Sequence, residues 1–390
     1  MKKWIILAVV LLVVAGGGAL VAVMVLRPEM RPAALAPEPV YEGAALSAWQ
    51  MHLRSKASDE RFEALDAIAA MGERSAPAMP QLLDLLRYDR DWRIREAAGA
   101  TLAKIGKPAL PHLIGLLKDP DKHMRLFAAQ AIGIMGDNGA GGVDPLLSAL
   151  GDADREVRAA AAQSVLQLGK IAQKPAAVAA MARALKDQHV TVAYLAGRCL
   201  AAYGADSAPA VGPLIESLRD KRETVAAQSA AALAKVGQPA VAPLVAALQD
   251  KDEKLALSAG NLLLGFGPES VGPIKSALVK PGCASRPLMF LLLRKLSAVG
   301  AFVELLDSDQ EPVRLAAEEN LVQMGCSAVP ALVELLKADK TRARGEAMLL
   351  KIGSDALPVL RAMMDDEAAR PHVEEVYKKI DAARARNKGT

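Results

Sequence analysis

The stretch that decides the fold is DREVRAAAAQSVLQLG, residues 154–169. DKHMRLFAAQAIGIMG (121–136) and DWRIREAAGATLAKIG (91–106) have the same shape with most letters changed. A pattern that survives such change records a packing requirement. Counted back from the closing glycine, positions twelve, eight, four and one residues earlier are apolar: Val157, Ala161, Val165 and Leu168. That spacing is one face of an α-helix. The small residue in the middle lets a neighbouring helix approach closely.

Aligning on that glycine organises the chain from Tyr41 onward. The glycines are Gly72, Gly106, Gly136, Gly169, Gly204, Gly237, Gly267, Gly325 and Gly353. The long gap between Gly267 and Gly325 accommodates a further unit ending near Ser297 without its glycine. About ten units at a period of roughly thirty to thirty-five residues mark a solenoid. A proline follows each closing region (Pro80, Pro111, Pro145, Pro213, Pro243, Pro273, Pro330, Pro358), suited to the first turn of a helix, which needs no N–H there. A leucine-rich stretch, an aspartate turn and the alanine-rich helix follow. The glycine itself is expected to close the helix in the left-handed conformation.

Composition agrees with an all-α chain. Aromatics are 3% of 390 residues, so large apolar contacts must come from aliphatic side chains between close helices. The formal charge of +4, with both signs interspersed, lacks the concentrated basic field of nucleic-acid binders.

Two polar columns run through the units. An aspartate lies seventeen residues before the glycine (Asp89, Asp119, Asp152, Asp187, Asp220, Asp250), and an arginine eleven before it (Arg61, Arg95, Arg125, Arg158, Arg314, Arg342). The arrangement D-x-D-x-x-[VIM]-R-x-A-A-x-A-[LIV]-x-x-[LIM]-G resembles the HEAT-repeat family, in its short variety known from phycobilisome lyases. The resemblance covers residues 41 to about 380. It implies an α-solenoid of about ten HEAT-like helix pairs over 41–390, its last repeat capped by the amphipathic helix of 373–386. It also implies an inter-repeat ladder of Asp89, Arg95, Asp119, Arg125, Asp152, Arg158 and Arg314. The opening YEGAALSAWQMHLRS is similar to HEAT modules of bacterial envelope proteins. In three central units the arginine is replaced by Ala193, Ala226 and Ala256. The ladder is expected to lose its cations there and the stack to be most compliant, with Asp187, Asp220 and Asp250 left to cap helices.

The first residues are a different material. Two lysines precede an uncharged run, residues 4–26, long enough to span roughly 30 Å of hydrocarbon. It reads as a transmembrane signal-anchor (1–26), a cleaved signal peptide being the alternative. Lys2 and Lys3 point to a cytoplasmic N-terminus and an extracytoplasmic solenoid. Residues 27–40, with four prolines, read as a tether.

No P-loop, G-x-G-x-x-G, H-E-x-x-H or G-x-S-x-G motif is present. His52, His112, His123, His189 and His372 fall in separate repeats, and Cys199, Cys283 and Cys326 are isolated. Cys199 reads as buried filler. No metal, cofactor or catalytic set is expected. What remains is the surface. The exposed phase of the second helices, six and two residues before each glycine, is expected on the concave side. It carries Gln163, Gln167, Arg198, Lys235, Asn261 and Lys295, continued by Lys104, Gln130, Gln323 and Lys351, with Glu319 the acidic exception. Arg198, Lys235, Asn261 and Lys295 are expected to form the central column. The function expected is a non-catalytic scaffold for a protein partner, acidic or extended. A lyase-type enzyme is the alternative that the repeat style raises.

Overall fold

The structure, a computed structural model, describes residues 38–388. The chain divides between Ile105 and Gly106 into two compact units. In the first, a two-residue antiparallel ribbon pairs Val40 with Ala45 and Tyr41 with Ala44. It leads into α1 (Leu46–His52), α2 (Ser58–Met71), α3 (Met79–Tyr88) and α4 (Trp92–Ile105). The Tyr-Glu-Gly…Leu…Trp opening has a physical reason. Glu42 and Gly43 turn the chain with positive φ. Leu46 is buried, and the Trp49 indole N–H donates to the Tyr41 carbonyl at 3.3 Å. Glu38, at the end of the stretch read as tether, accepts from the Ser47 N–H at 2.6 Å.

The second unit continues with α5 (Leu110–Leu116), α6 (Lys122–Ile134), α7 (Val143–Ala149), α8 (Arg155–Leu168), α9 (Pro175–Ala184), α10 (Val190–Tyr203), α11 (Val211–Ser217) and α12 (Glu223–Val236). Then come α13 (Val241–Ala247), α14 (Glu253–Phe266), α15 (Val271–Leu278), α16 (Arg286–Lys295), α17 (Val299–Leu305), α18 (Glu311–Met324), α19 (Val329–Leu336), α20 (Asp339–Ile352), α21 (Leu357–Ala362) and α22 (Arg370–Lys388). Within this unit second helices pack on second helices, from α6 on α8 to α20 on α22. First helices form the other layer, from α7 on α9 to α19 on α21. Each proline named above falls in the first turn of a first helix. The C-terminal helix buries Val373, Val376 and Ile380 and closes the stack.

The core is the column read from the sequence. Val157, Ala161 and Val165 have no exposed surface, and neither have Ala64, Ala98, Ala128, Ala196, Ala259 and Ala317 at the equivalent of Ala161. Larger side chains there would drive adjacent second helices apart.

Three expectations need correction. The closing glycines have positive φ, but their ψ is strongly negative: Gly169 has φ 54° and ψ −121°, Gly353 71° and −138°. This is the first central position of a type II′ turn rather than the left-handed helical cap, and it admits little but glycine. Ser297, where the glycine is missing, still takes φ 52°. Second, Asp187, Asp220 and Asp250 cap no helix end. Each accepts the N–H two residues on, at His189, Arg222 and Asp252. Where a carboxylate caps, it belongs to the next aspartate, as when Asp154 accepts from Glu156 and Val157. Third, the glycine is not the whole of the helix end, because buried serines close it as well. Ser75, Ser207 and Ser270 donate to the carbonyls of Ile68, Leu200 and Leu263, satisfying groups otherwise orphaned there.

Residues 1–26 and the tether up to 37 lie outside the described residues. Among the described residues no single helix is long and apolar enough to cross a membrane.

Candidate partner-binding surface

The turns between first and second helices form one edge of each unit, and the arginine column works there. All six arginines donate to the carbonyl six residues back: Arg61 to Ser55, Arg95 to Asp89, Arg125 to Asp119, Arg158 to Asp152, Arg314 to Ser308 and Arg342 to Leu336. Arg61, Arg125 and Arg158 also reach the aspartate of the following repeat. Arg61 meets Asp89 at 2.9 Å, Arg125 meets Asp152 at 2.7 Å and Arg158 meets Asp187 at 2.7 Å. Burial favours the neutral acid at Asp152 and Asp187. The guanidinium and the N–H two residues on outweigh it and hold both carboxyls below their ordinary range.

The loss of cations expected at Ala193 and Ala226 does not occur. Arg222, from the following repeat, donates to the Asp187 and Gln188 carbonyls at 2.8 and 3.2 Å. It also pairs with its own Asp220 at 2.6 Å. The regular rung joins the carbonyls of one turn to the carboxylate of the next with an arginine from the earlier repeat. Here the same groups are joined from the later one. At the next turn Lys254 donates to the Asp220 carbonyl and Arg219 pairs with Asp250. The middle of the stack is therefore not left without rungs at these turns. The sequence signal was available: Arg222 stands at the second aspartate position and Lys254 two residues beyond it, in units whose predecessors lack the column arginine.

The second-helix face is different. Lys104, Gln130, Gln167, Arg198, Lys235, Asn261, Lys295, Glu319, Gln323 and Lys351 are exposed, and Gln163 is half-buried. Three of these come together. Gln130, Gln163 and Gln167 line a cleft of about 400 Å³ on α6, α8 and α10, with Leu126, Ile134, Ser164, His189 and Leu195 among the other walls. None of the three amides is hydrogen-bonded to another of the described residues. Gly133 lets α8 come this close, since a Cβ there would lie 2.5 Å from the Ser164 hydroxyl and 2.6 Å from Gln167 Oε1. Ser164 is buried and donates to the Ala129 carbonyl, so it is structural.

Arg198, Lys235, Asn261 and Lys295 line neither this cleft nor a second one of about 430 Å³ between α16 and α18. Arg198 sits over the ring of Tyr194 at 5.9 Å. Gln323 is held by Arg294 and Glu319. The sequence reading also missed the apolar half of this face. Ten residues before the glycine, one turn beyond the polar phase, Leu257 and Leu315 are exposed, as is Ile134 two before it. Extending the same helical phase by one turn would have found Leu257 and Leu315, while Ile134 sits at a position of the phase already read.

Cys199 and Cys283 are buried and Cys326 is exposed, all as free thiols. Burial pushes the Cys199 thiol up to about 11, away from a nucleophile's range. Among the described residues no cluster of three or more His, Cys, Asp or Glu side chains is placed to hold a metal ion.

Comparison with known proteins matches the HEAT-repeat family at residues 46–133, 79–165 and 110–193. No curated protein matches the chain. Among solved structures, an engineered protein is 18% identical over 86% of this chain and 98% of its own, with a TM-score of 0.40. The karyopherin Kap121p bound to the extreme C-terminus of the phosphatase Cdc14p is 13% identical over 85% of this chain and 49% of its own, with a TM-score of 0.44. A designed armadillo repeat protein in complex with the peptide (KR)4 is 20% identical over 54% of this chain and 98% of its own, with a TM-score of 0.32. The chain spans about half the length of the karyopherins it matches. These likenesses concern the fold alone, and nothing among them supports the lyase alternative. The chain carries HEAT repeats over residues 46–193, in an all-α repeat fold.

Proposed function

We propose that this chain is a non-catalytic scaffold that holds an extended segment of a protein partner along its second-helix face. The observation that carries the reading is the cleft on α6, α8 and α10. Three amides without partners, Gln130, Gln163 and Gln167, stand beside Leu126, Ile134 and Leu195. A primary amide both donates and accepts, so it matches the N–H and C=O of an extended backbone. The aliphatic walls suit an apolar side chain of that backbone. Arg198, Lys235 and Lys295, exposed and without an acidic partner among the described residues, favour acidic residues farther along the same segment. Residues 4–26 are proposed as a membrane anchor with the repeats on the extracytoplasmic side, on the strength of the length of the apolar run and of Lys2 and Lys3.

A photo-crosslinking residue placed at Gln163 in intact membranes tests the partner site. It should give one defined adduct that disappears with Ile134→Glu. The same probe at Arg183, on a first helix, should give none. Equal labelling from both positions would overturn the assignment. For the anchor, protease added to intact spheroplasts should digest the repeats, and protection until lysis would reverse the topology.

A further inference from the structure

The first unit carries a second surface. The α1–α2 loop and the α3–α4 turn form a cleft of about 920 Å³, walled by Leu53, Arg54, Lys56, Gln81, Asp84, Tyr88 and Arg90 among others. Tyr88 and Met51 are the two most exposed large apolar side chains among the described residues, at 74% and 69%, and Trp92 is exposed at 59%. All three lie on or beside this edge: Met51 is in the last turn of α1, and Tyr88 and Trp92 flank the α3–α4 turn. The charges there are unevenly used. Asp89 is held by Arg61 and Asp91 by Arg93. That leaves Arg54, Lys56 and Arg90 without an acidic partner among the described residues, with Asp84 the other carboxylate lining the cleft.

We propose that this edge of the first unit lies against the lipid headgroups of an anionic membrane. Tyrosine and tryptophan with one apolar body and one polar tip favour the headgroup level, and unpaired lysine and arginine beside them are drawn to anionic lipid. The chain ahead of the structure supplies the constraint. Only residues 27–37 separate the apolar run from Glu38, a reach of at most about 40 Å when fully extended. From the ribbon at Val40 to the cleft is the length of α1, seven residues, or about 10 Å. The edge is thus within reach of the bilayer that residues 4–26 enter. The proposal rests on that anchor reading, and its test separates the two.

The full chain with Trp4→Phe and Trp49→Phe, leaving Trp92 as the only indole, is reconstituted in nanodiscs of mixed anionic and zwitterionic phospholipid. Lipids brominated near the headgroup end of the acyl chains should reduce Trp92 emission by roughly half, as expected for an interfacial indole. Arg54→Glu with Lys56→Glu and Arg90→Glu, all surface changes, should restore most of it. Unquenched Trp92 in protein that co-elutes with the nanodiscs would overturn the headgroup contact while leaving the anchor standing. Failure to enter nanodiscs would remove the anchor and the proposal with it. An emission shift that depends on protein concentration without lipid would assign the edge to a second copy instead.

Discussion

The reversed rung at Arg222 makes a prediction that the sequence alone would have given the wrong sign. Arg222 makes four contacts: two to the carbonyls of Asp187 and Gln188 and two to the Asp220 carboxylate, at 2.9 and 2.6 Å. Hydrogen bonds to a charged group contribute about 1.5–3 kcal/mol. The side chains of Arg222 and Asp220 are 29% and 18% exposed, so water replaces part of what is lost. Arg222→Ala should therefore cost about 1.5–2 kcal/mol, the low end of that range. Restoring the column arginine by Ala193→Arg should not stiffen the stack. Ala193 has no exposed surface, and the carbonyls that the new guanidinium would seek are already taken. It should destabilise by about 1–3 kcal/mol through overpacking and like charge. In the double variant the new arginine inherits both the Asp187 carbonyl and Asp220, as Arg158 does one repeat earlier. The two changes should then offset each other by at least about 1 kcal/mol, within the coupling expected of contacting residues. Urea denaturation gives the cycle, and native-state hydrogen exchange across residues 187–225 shows whether the effect is local, since repeat arrays need not unfold as one unit. Additivity within about 0.5 kcal/mol would refute the shared rung.

Ser297→Gly should stabilise the fold by about 1 kcal/mol, because a serine now bears the strain of φ 52°; an unchanged melting temperature would argue against strain there. Gly133→Ala should cost about 1–3 kcal/mol by forcing α8 away from α6, and should also displace Gln167 and weaken partner crosslinking from Gln163. Acid should destabilise the stack with a definite onset. Asp152, Asp187 and Asp220 have folded pKa values below the ordinary 3.8. Their contribution is fully present above that value and is lost as pH falls through the folded values. The melting temperature should thus stay level from pH 7 to 5 as far as these groups are concerned and fall below about pH 4, with a shallower fall in Asp187→Asn.

Much of this was legible because packing leaves a period. The column at Val157, Ala161, Val165 and Leu168 recurs with few exceptions, such as Glu60, Ser229 and Thr341, since each unit must bury the same face against its neighbours. Even the unit lacking its glycine could be placed near Ser297, because spacing continued across it. The rungs were only half legible. A column of arginines shows where the donor sits when it comes from its own repeat. The requirement itself belongs to the turn carbonyls, and any cation that reaches them satisfies it, so Arg222 and Lys254 fell outside the column and were missed. The binding face was read one turn short: polar residues at two positions were counted, while Leu257 and Leu315 at the third were not. A surface residue carries no packing period to announce itself, so Gln130, Gln163 and Gln167 stood out only once the cleft showed them together.

The placement of paired and unpaired groups then separates architecture from recognition. Along the turn edge of the second unit, carboxylates, guanidinium groups and carbonyls largely satisfy one another: Arg125 with Asp152, Arg158 with Asp187, Arg222 with Asp220. A partner docking on those groups would have to break bonds that already exist, which sets a cost against affinity. On the second-helix face of α6 and α8 the reverse holds. The amides of Gln130, Gln163 and Gln167 make no hydrogen bond to the other described residues, and Ile134 is left half in water. A partner there replaces only water. The same contrast distinguishes the edge of the first unit, where Arg61 and Arg93 are occupied but Arg54, Lys56 and Arg90 are not. Two surfaces with different unpaired chemistry, amide and aliphatic on one, cationic and aromatic on the other, call for different occupants. A scaffold of this kind would bind a protein segment on one and rest on lipid with the other.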